Sequence, residues 1–299
     1  MTDLVIIGAG PAGFSAAIYA VRAGLSVRLL ENSLFGGQII NTPDVDNYPG
    51  LPGISGAEFA MKLYEHAAKL GVEPETAAVS KAELSGDIKN IFTEKEIIPC
   101  RSVIIATGAS HRKLGCPGEE EFTGKGVSYC ATCDGAFFKG KTVAVNGGGN
   151  TALEDALFLS NMCEKVYIIH RREGFRADNA NLKAAKAREN IEFVLNRTVA
   201  QIKGGEKVES VLLSSTTGEP DLELAVDGLF VAIGFHPNTE LFEGQLELEG
   251  GYIKAGENCR TSIPGVFAAG DVRTKEVRQL ITAAADGAVA GVEAGKYLA

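Results

Sequence analysis

The stretch Leu4-Val5-Ile6-Ile7-Gly8-Ala9-Gly10-Pro11-Ala12-Gly13 decides the fold of this 299-residue chain. Its four apolar residues are typical of a buried parallel strand, and the Ala-rich segment that follows predicts a helix. Gly8 permits the tight turn between them, Gly10 lets the backbone approach a pyrophosphate, and Gly13 allows close helix–strand packing. The next predicted strand ends at Glu31, an acid suited to a ribose hydroxyl. The segment therefore predicts a dinucleotide-binding βαβ unit.

A second motif of the same kind begins far downstream. The apolar strand 142–145 leads into Gly147-Gly148-Gly149-Asn150-Thr151-Ala152, a helix is predicted to follow, and the next strand ends at His170. The spacing from the first glycine to the strand tip is the same in both copies. Because spacing and context both repeat, the sequence predicts an α/β fold with two Rossmann-like dinucleotide-binding domains.

The two strand tips differ in charge. Glu31 stands at the first tip, which favours FAD or NAD, whereas the second tip continues as His170-Arg171-Arg172-Glu173-Gly174-Phe175-Arg176. Guanidinium groups match the geometry of a phosphate, so this cluster favours the 2′-phosphate of NADPH. A solvated basic turn is the alternative interpretation of the cluster.

The rest of the chain indicates that the second domain is inserted into the first. The further predicted elements are a β-meander at 79–97, buried strands at 103–106, 228–233 and 265–268, and a C-terminal helix at 282–297. The FAD-binding domain is predicted to comprise 1–112 and 244–299, and the NADPH-binding domain to comprise 113–243. The joints, 115–118 and 234–238, are rich in Gly and Pro, which interrupt regular structure.

The segment Cys130-Ala131-Thr132-Cys133-Asp134-Gly135 lies just before the second glycine motif. A redox dithiol, a structural zinc site and a pair of buried thiols compete as interpretations. A zinc site needs four ligands, and no histidine stands at finger spacing from the pair. Cys-x-x-Cys motifs can lower a thiol pKa, and Asp134 could move protons during thiol–disulfide exchange, or simply occupy a turn. The favoured interpretation is a dithiol that receives electrons from a nicotinamide through a flavin.

Composition argues against several classes of function. The net charge is −9 and Trp is absent, which argues against nucleic-acid binding. The apolar stretch 4–21 lacks a basic n-region and contains Gly and Pro, so neither a signal peptide nor a membrane anchor is expected. Six cysteines are too few for a disulfide scaffold. We expect a cytoplasmic protein without a metal site.

The chain resembles the low-molecular-weight thioredoxin reductases of bacteria along essentially its whole length. The most specific segment is 127–135, which carries the active-site dithiol in that family. The second glycine motif, with the arginine cluster after it, resembles the family's NADPH fingerprint. The segments that match its FAD-binding regions are Gly8 to Gly13, Gly36-Gly37-Gln38, Asn47-Tyr48-Pro49-Gly50, Ala106-Thr107-Gly108, Phe267-Ala268-Ala269-Gly270-Asp271 and Arg278-Gln279.

The resemblance implies an NADPH-dependent thioredoxin-disulfide reductase, a homodimer with tightly bound FAD. It implies that Cys133 faces the flavin, that Cys130 attacks thioredoxin and that Asp134 is the acid/base. It also implies a rotation between the domains. Cys116 and Cys259 lie outside the motifs that match the family. They leave open a regulatory thiol, although buried packing is the ordinary role of such residues.

Two alternatives remain open at this point. A relative on the same scaffold would take electrons from ferredoxin or a deazaflavin, or would pass them to oxygen as a dithiol oxidase. Such an enzyme has no use for the arginine cluster. A flavoprotein redox sensor that binds a regulatory partner would not be an enzyme, and no extra domain or basic surface supports it.

Overall fold

The computed structural model describes residues 1–42 and 44–299, and its contacts divide them into two compact units. The first unit comprises Met1–Ser110 and His236–Ala299, and the second comprises His111–Phe235. We call them the outer unit and the inserted unit.

The described chain contains α-helices, short 3-10 helices and strands. The α-helices are α1 (Pro11–Arg22), α2 (Gly56–Lys69), α3 (Glu119–Phe122), α4 (Ala131–Asp134), α5 (Asn150–Ser160), α6 (Asn179–Lys186) and α7 (Leu280–Leu298). The 3-10 helices are Gly37–Asn41, Gly135–Phe138, Glu240–Phe242 and Gly270–Val272. The strands are β1 (Thr2–Ile7), β2 (Val27–Glu31), β3 (Pro74–Thr76), β4 (Val79–Glu83), β5 (Lys89–Thr93), β6 (Ile97–Ile105), β7 (Ala109–His111), β8 (Val127–Ser128), β9 (Thr142–Asn146), β10 (Lys165–His170), β11 (Ile191–Leu195), β12 (Arg197–Gly204), β13 (Val208–Ser215), β14 (Leu222–Ala225), β15 (Gly228–Val231), β16 (Phe235–Pro237), β17 (Leu248–Glu249), β18 (Tyr252–Ile253) and β19 (Val266–Ala268).

The main sheet of the outer unit has the order β3-β2-β1-β6-β5-β4, with β19 also paired to β6. Strand β1 lies parallel to β2 and β6, with Ile6 opposite Leu29 and Ile104. These three side chains are buried, and burying each contributes about 1.5–3 kcal/mol. The antiparallel pairs β4–β5 and β5–β6 confirm the predicted meander.

Helices α1 and α7 of the outer unit pack closely because small residues line their contact. A side chain at Gly287 would overlap the carbonyl oxygen of Ala12, and one at Gly291 would approach the carbonyl of Ala16. Helix α1 begins with Pro11, whose missing N–H costs nothing at a first helical position. The α1–α7 pair thus brings the first glycine motif against the C-terminal helix.

The inserted unit has a parallel sheet of order β11-β10-β9-β15-β8 and a three-stranded antiparallel sheet, β12-β13-β14. In both units the strand after the glycine motif lies beside the motif strand, as in doubly wound dinucleotide-binding folds. The predicted α/β architecture is confirmed. Strand β15 ends at Val231, two residues before the predicted end. In the described residues, no helix has the length and apolar character needed to cross a membrane.

Candidate active site

Cys130 and Cys133 are joined by a disulfide in the inserted unit, with their Cα atoms 5.3 Å apart. Cys130 precedes α4, and its carbonyl accepts a 3.1 Å hydrogen bond from the Asp134 N–H. Both cysteines are half-buried, so the disulfide sits at the surface of the unit. Among the described residues, no group of three or more potential ligands is placed to hold a metal ion. The pairing fits a redox-active disulfide.

Ser128 connects this disulfide turn to the neighbouring carboxylate. Its hydroxyl donates to Asp134 Oδ2 at 2.6 Å and accepts from the Cys130 N–H at 3.1 Å. Burial raises the pKa of Asp134, and the Ser128 hydrogen bond opposes that shift by stabilising the ionised form. Sequence reasoning missed this role. Its only signal is a hydroxyl residue two positions before the first cysteine.

Tyr129, directly before Cys130, is held by a buried carboxylate. Its hydroxyl donates to Glu119 Oε1 at 2.9 Å, and the two oxygens of Glu119 also accept from the N–H groups of Leu114 and Gly115, each at 2.8 Å. Glu119 is only 2% exposed, and three donors compensate for burying its charge. Burial raises the pKa of Tyr129 to about 12, so its phenol stays protonated as a donor. Glu119 therefore holds in place the residue that leads into the disulfide turn.

The glycine motif of the outer unit has the backbone geometry that a pyrophosphate site requires. Gly8 adopts φ +104°, and a side chain there would overlap the carbonyl of Ala106. A side chain at Gly13 would overlap the carbonyl of Gly8, so strand and helix can meet only because both residues lack one. Glu31 Oε2 accepts the Ala9 N–H at 2.8 Å, which ties the strand tip to the glycine loop.

The second loop of the outer unit lies against this motif. The Gly36 N–H donates to the carbonyl of Ala9 at 2.8 Å, and the Gly37 backbone lies beside that of Gly10. Gly36 and Gly37 both have positive φ, which glycine tolerates without strain. The second loop is therefore in direct contact with the glycine motif.

Other residues of the outer unit that are predicted to contact FAD form hydrogen bonds within the unit. The Gln38 amide donates to the carbonyl of Ala109. The Asn47 amide donates to Gln279 Oε1 at 3.2 Å, which joins two predicted contact residues that are distant in sequence. The Thr107 hydroxyl donates to the carbonyl of Asn238 at 2.7 Å. Gly108 follows it with φ +70° and open space beside it.

Two predicted residues of the outer unit carry buried polar atoms without a partner. Asp271 Oδ1 and Arg278 Nε are buried and form no hydrogen bond within the part of the chain that the structure describes. The Arg278 guanidinium lies over the Tyr252 ring, 4.0 Å from its centroid. A buried polar atom without a partner costs free energy, so these atoms fit a ligand that supplies a donor to Asp271 and an acceptor to Arg278.

The basic loop of the inserted unit folds back onto the second glycine motif. The His170 ring lies where a Gly148 side chain would be, and the Arg176 N–H donates to the Gly148 carbonyl at 3.0 Å. Burial, followed by the nearby charges of Arg171, Arg172 and Arg176, lowers the pKa of His170. These three arginines are exposed and form no ion pair among the described residues. They remain available to a phosphate.

The remaining predicted residues of this motif divide between backbone and side-chain roles. A side chain at Gly147 would overlap the carbonyl of Ala232, whereas Gly149 faces open space at the start of α5. The Asn150 amide is used internally, because it donates to Asp178 Oδ2 at 3.0 Å and accepts the Asp178 N–H at 2.7 Å. Thr151 is exposed.

Asp155 on α5 was not anticipated from the sequence. It is half-buried, and its carboxylate has no hydrogen-bond partner among the described residues. Burial, with a smaller contribution from Glu154, raises its pKa to about 7. The only signal in the sequence was the position of this acid on the helix that begins at the second glycine motif. Strongly shifted carboxyl groups are candidates for functional sites.

The two cysteines singled out in the sequence differ in burial. Cys259 is fully buried, and burial raises its pKa to about 12. Cys116 is half-buried, and burial raises its pKa as well. Reactive thiols need a lowered pKa, so neither residue has the surroundings of a regulatory thiol.

Residues 2–288 match the family model for pyridine nucleotide-disulphide oxidoreductases. The chain belongs to this family of oxidoreductases, which are flavin enzymes that use a pyridine nucleotide. A thioredoxin reductase of Escherichia coli O157:H7 is 46% identical over 99% of this chain and 96% of its own. One from Listeria innocua is 44% identical over 99% of this chain and 93% of its own.

The solved structures agree with the sequence relatives. The crystal structure of thioredoxin reductase from Streptococcus pyogenes covers 100% of this chain and 98% of its own, with 44% identity and a TM-score of 0.95. Within the family, the chain is therefore a member of the bacterial-type thioredoxin reductases.

Proposed function

We propose that this protein is an NADPH-dependent thioredoxin-disulfide reductase. The outer unit binds FAD, and the inserted unit binds NADPH and carries the dithiol. The observation that carries the proposal is the Cys130–Cys133 disulfide, with the Asp134 carboxyl one residue further on and held by Ser128. Relatives that carry the name thioredoxin reductase support oxidised thioredoxin as the substrate.

NADPH as the electron donor is supported by the basic loop. Arg171, Arg172 and Arg176 are exposed, lack carboxylate partners among the described residues, and lie close to the His170 ring over the glycine motif. Gly147, Gly149, Asn150 and Thr151 shape the turn at the start of α5, where N–H groups and the helix dipole favour a pyrophosphate.

FAD in the outer unit is supported by its donor and acceptor groups. Glu31 at the strand tip suits ribose hydroxyls, and the unpartnered Asp271 Oδ1 suits another hydroxyl of the ligand. Arg278 Nε suits an acceptor atom of the same ligand. The remaining proposed contacts are Gly8, Gly10, Pro11, Ala12, Gly13, Gly36, Gly37, Gln38, Asn47, Thr107, Gly108, Gly270 and Gln279.

When bound, the two nucleotides supply a hydride and relay its two electrons to the disulfide. Reduction by these two electrons breaks the Cys130–Cys133 bond and, with one proton from the hydride and one from water, leaves two thiols. The Cys130 thiolate then attacks thioredoxin's disulfide, and a mixed disulfide forms while one thioredoxin sulfur leaves as a thiolate. Asp134 accepts the proton that Cys130 loses and donates it to this leaving sulfur. Cys133 then loses its proton and attacks the Cys130 sulfur, which restores the disulfide. The second thioredoxin sulfur leaves as a thiolate and takes up that proton.

The test is anaerobic mixing of the purified protein with NADPH or NADH, followed by flavin absorbance, and then addition of oxidised thioredoxin. NADPH should bleach the flavin, and turnover should follow once thioredoxin is present. Cys130→Ser, Cys133→Ser and Asp134→Asn should still be bleached by NADPH. The two serine variants should not reduce thioredoxin, and Asp134→Asn should do so about a hundredfold more slowly, because general acid catalysis contributes about 10²–10⁴-fold.

Two outcomes would contradict the proposal. If neither nucleotide bleaches the flavin, the donor is another electron carrier, as in a related disulfide reductase or dithiol oxidase. Full activity of Cys130→Ser with thioredoxin would remove the dithiol from the pathway. We also propose, from the family resemblance, a cytoplasmic location and a homodimer. Sedimentation of the purified protein would test the homodimer, and fractionation of the cells that produce it would test the location.

A further inference from the structure

One carboxylate of the outer unit, that of Asp286 on α7, binds two cations and a backbone amide. Arg273 donates to both of its oxygens, from Nε at 2.9 Å and from Nη2 at 2.8 Å. Lys275 Nζ and the Gly270 N–H donate to Oδ2 at 2.8 and 3.0 Å. The three side chains are at most 10% exposed, so this ionic cluster is buried. Its charges are stable there only because they compensate one another.

The cluster holds the 3-10 turn Gly270–Val272 from the α7 side. On the opposite side, Gly270 has φ +80°, and a side chain there would come within 2.9 Å of Ala12 Cβ in the first turn of α1. Gly287, the neighbour of Asp286, lies against the carbonyl of Ala12. The turn is therefore fixed between α1 and α7, and Asp286 supplies its hydrogen bond to α7.

That turn carries Asp271, whose Oδ1 is buried and unpartnered. Burial raises the pKa of Asp271, and the charge of Lys275 is the largest influence that lowers it. Lys275 is itself kept in place by Asp286. The cluster thus fixes the backbone before Asp271. It also brings two opposing charges to this carboxyl group, since Lys275 lowers its pKa and Asp286 raises it.

We propose that Asp286 is a positioning residue for the flavin: through Gly270, Arg273 and Lys275, it keeps Asp271 oriented to bind a hydroxyl group of FAD. This inference rests on the proposed function, because it takes FAD as the ligand of the outer unit. Asp286 does not touch the cofactor itself and acts through Asp271.

Helix α7 offers a control for the loss of a carboxylate that binds two cations, here with cations that are 56% and 64% exposed. Glu293 also binds two cations, Arg260 Nη2 at 2.7 Å and Lys296 Nζ at 2.7 Å, and is 9% exposed. Its partners include no residue of the Gly270–Val272 turn. Glu293→Gln therefore measures how the loss of such a carboxylate affects folding alone. Asp286→Asn should affect folding and, in addition, FAD binding.

The experiment uses the full chain stripped of FAD and titrated with FAD, with flavin fluorescence as the binding readout and the melting temperature of the stripped protein as the stability readout. We expect Asp286→Asn to weaken FAD binding about tenfold or more, equivalent to about 1.4 kcal/mol. Glu293→Gln should bind FAD as the wild type does, even where its melting temperature falls as far. Lys275→Met leaves the ion pair between Arg273 and Asp286 intact and should also weaken FAD binding. This variant replaces Asp286→Asn in the test if Asp286→Asn does not fold.

A double-mutant cycle separates positioning from general destabilisation. If Asp286 acts through Asp271, Asp286→Asn should add little to the loss of affinity that Asp271→Asn already causes. Fully additive losses, or wild-type affinity in both Asp286→Asn and Lys275→Met, would overturn the inference. Failure of the wild-type protein to bind FAD would instead overturn the proposed function, so the two failures are distinguishable.

Discussion

The Ser128 hydroxyl donates a 2.6 Å hydrogen bond to the Asp134 carboxylate, and the same oxygen accepts the Cys130 backbone N–H. One small side chain thus connects the proposed acid/base to the proposed attacking cysteine. Since a donor stabilises the ionised carboxylate, Ser128 limits how far burial can raise the pKa of Asp134.

Replacing Ser128 by Ala should move the proton-transfer step to higher pH. Without its donor, the Asp134 carboxylate is less stable, and its pKa rises further above the ordinary value. The pH dependence of kcat/KM for thioredoxin should show the limb due to Asp134 displaced upward. Ser160→Ala is the control, because among the described residues the Ser160 hydroxyl donates only to the carbonyl of Leu157. Superimposable profiles for Ser128→Ala and the wild type would contradict this role.

Loss of one arginine from the basic loop should affect NADPH and spare NADH. A hydrogen bond to a charged group contributes about 1.5–3 kcal/mol, so Arg171→Gln or Arg172→Gln should raise KM for NADPH about tenfold or more. KM for NADH should not change, because NADH has no 2′-phosphate. Arg188→Gln removes an exposed arginine elsewhere in the inserted unit and should leave both values unchanged. An equal rise for both nucleotides would indicate that the loop does not recognise the phosphate.

Asp155 should make the protein less stable as the pH rises. The folded protein holds the Asp155 proton up to a pKa of about 7, whereas the unfolded chain loses it near 4. The free energy of unfolding therefore falls between these two values as the pH increases. Asp155→Asn should remove this decline, so its melting temperature should exceed that of the wild type more at pH 8 than at pH 5. Glu154→Gln, a change at the exposed neighbour, should retain the decline.

Gly13→Ala should damage the outer unit at its first motif. The added methyl group would overlap the Gly8 carbonyl, and backbone cannot move aside as a flexible side chain can. Overpacking of this kind costs about 1–3 kcal/mol or more, and FAD binding should be lost with the loop geometry. Gly256→Ala in the same unit meets nothing closer than 3.9 Å and should melt as the wild type does. Melting temperatures and retained FAD measure both effects.

The two βαβ units could be predicted because their requirements are local. A glycine that must adopt φ +104°, as Gly8 does, and an apolar run that must be buried on both faces leave a direct mark on the sequence. The meander was predictable for the same reason, since alternation and turn residues lie within one short segment. A redox pairing of Cys130 and Cys133 could be favoured in advance, because a separation of three residues allows a small disulfide ring.

Other features depended on packing. Glu119 reaches the Tyr129 hydroxyl, ten residues further along the chain, only because folding brings the start of α3 beside the segment that follows β8. The raised pKa of Asp155 comes from burial, which no single residue of α5 encodes. Asp286 lies in an Ala/Gly-rich helix, and nothing in the neighbouring sequence marks it as the centre of a buried ionic cluster.

The sequence by itself determined the α/β fold, the two glycine motifs and the Cys-x-x-Cys pair, because steric limits on the backbone and the period of apolar residues act over a few positions. Only the tertiary structure decided which carboxyl groups are buried and which donors reach them. Asp134 depends on Ser128, and Asp286 depends on Arg273 and Lys275. Desolvation and hydrogen-bond geometry depend on where whole elements pack, so these relationships exist only in the folded chain.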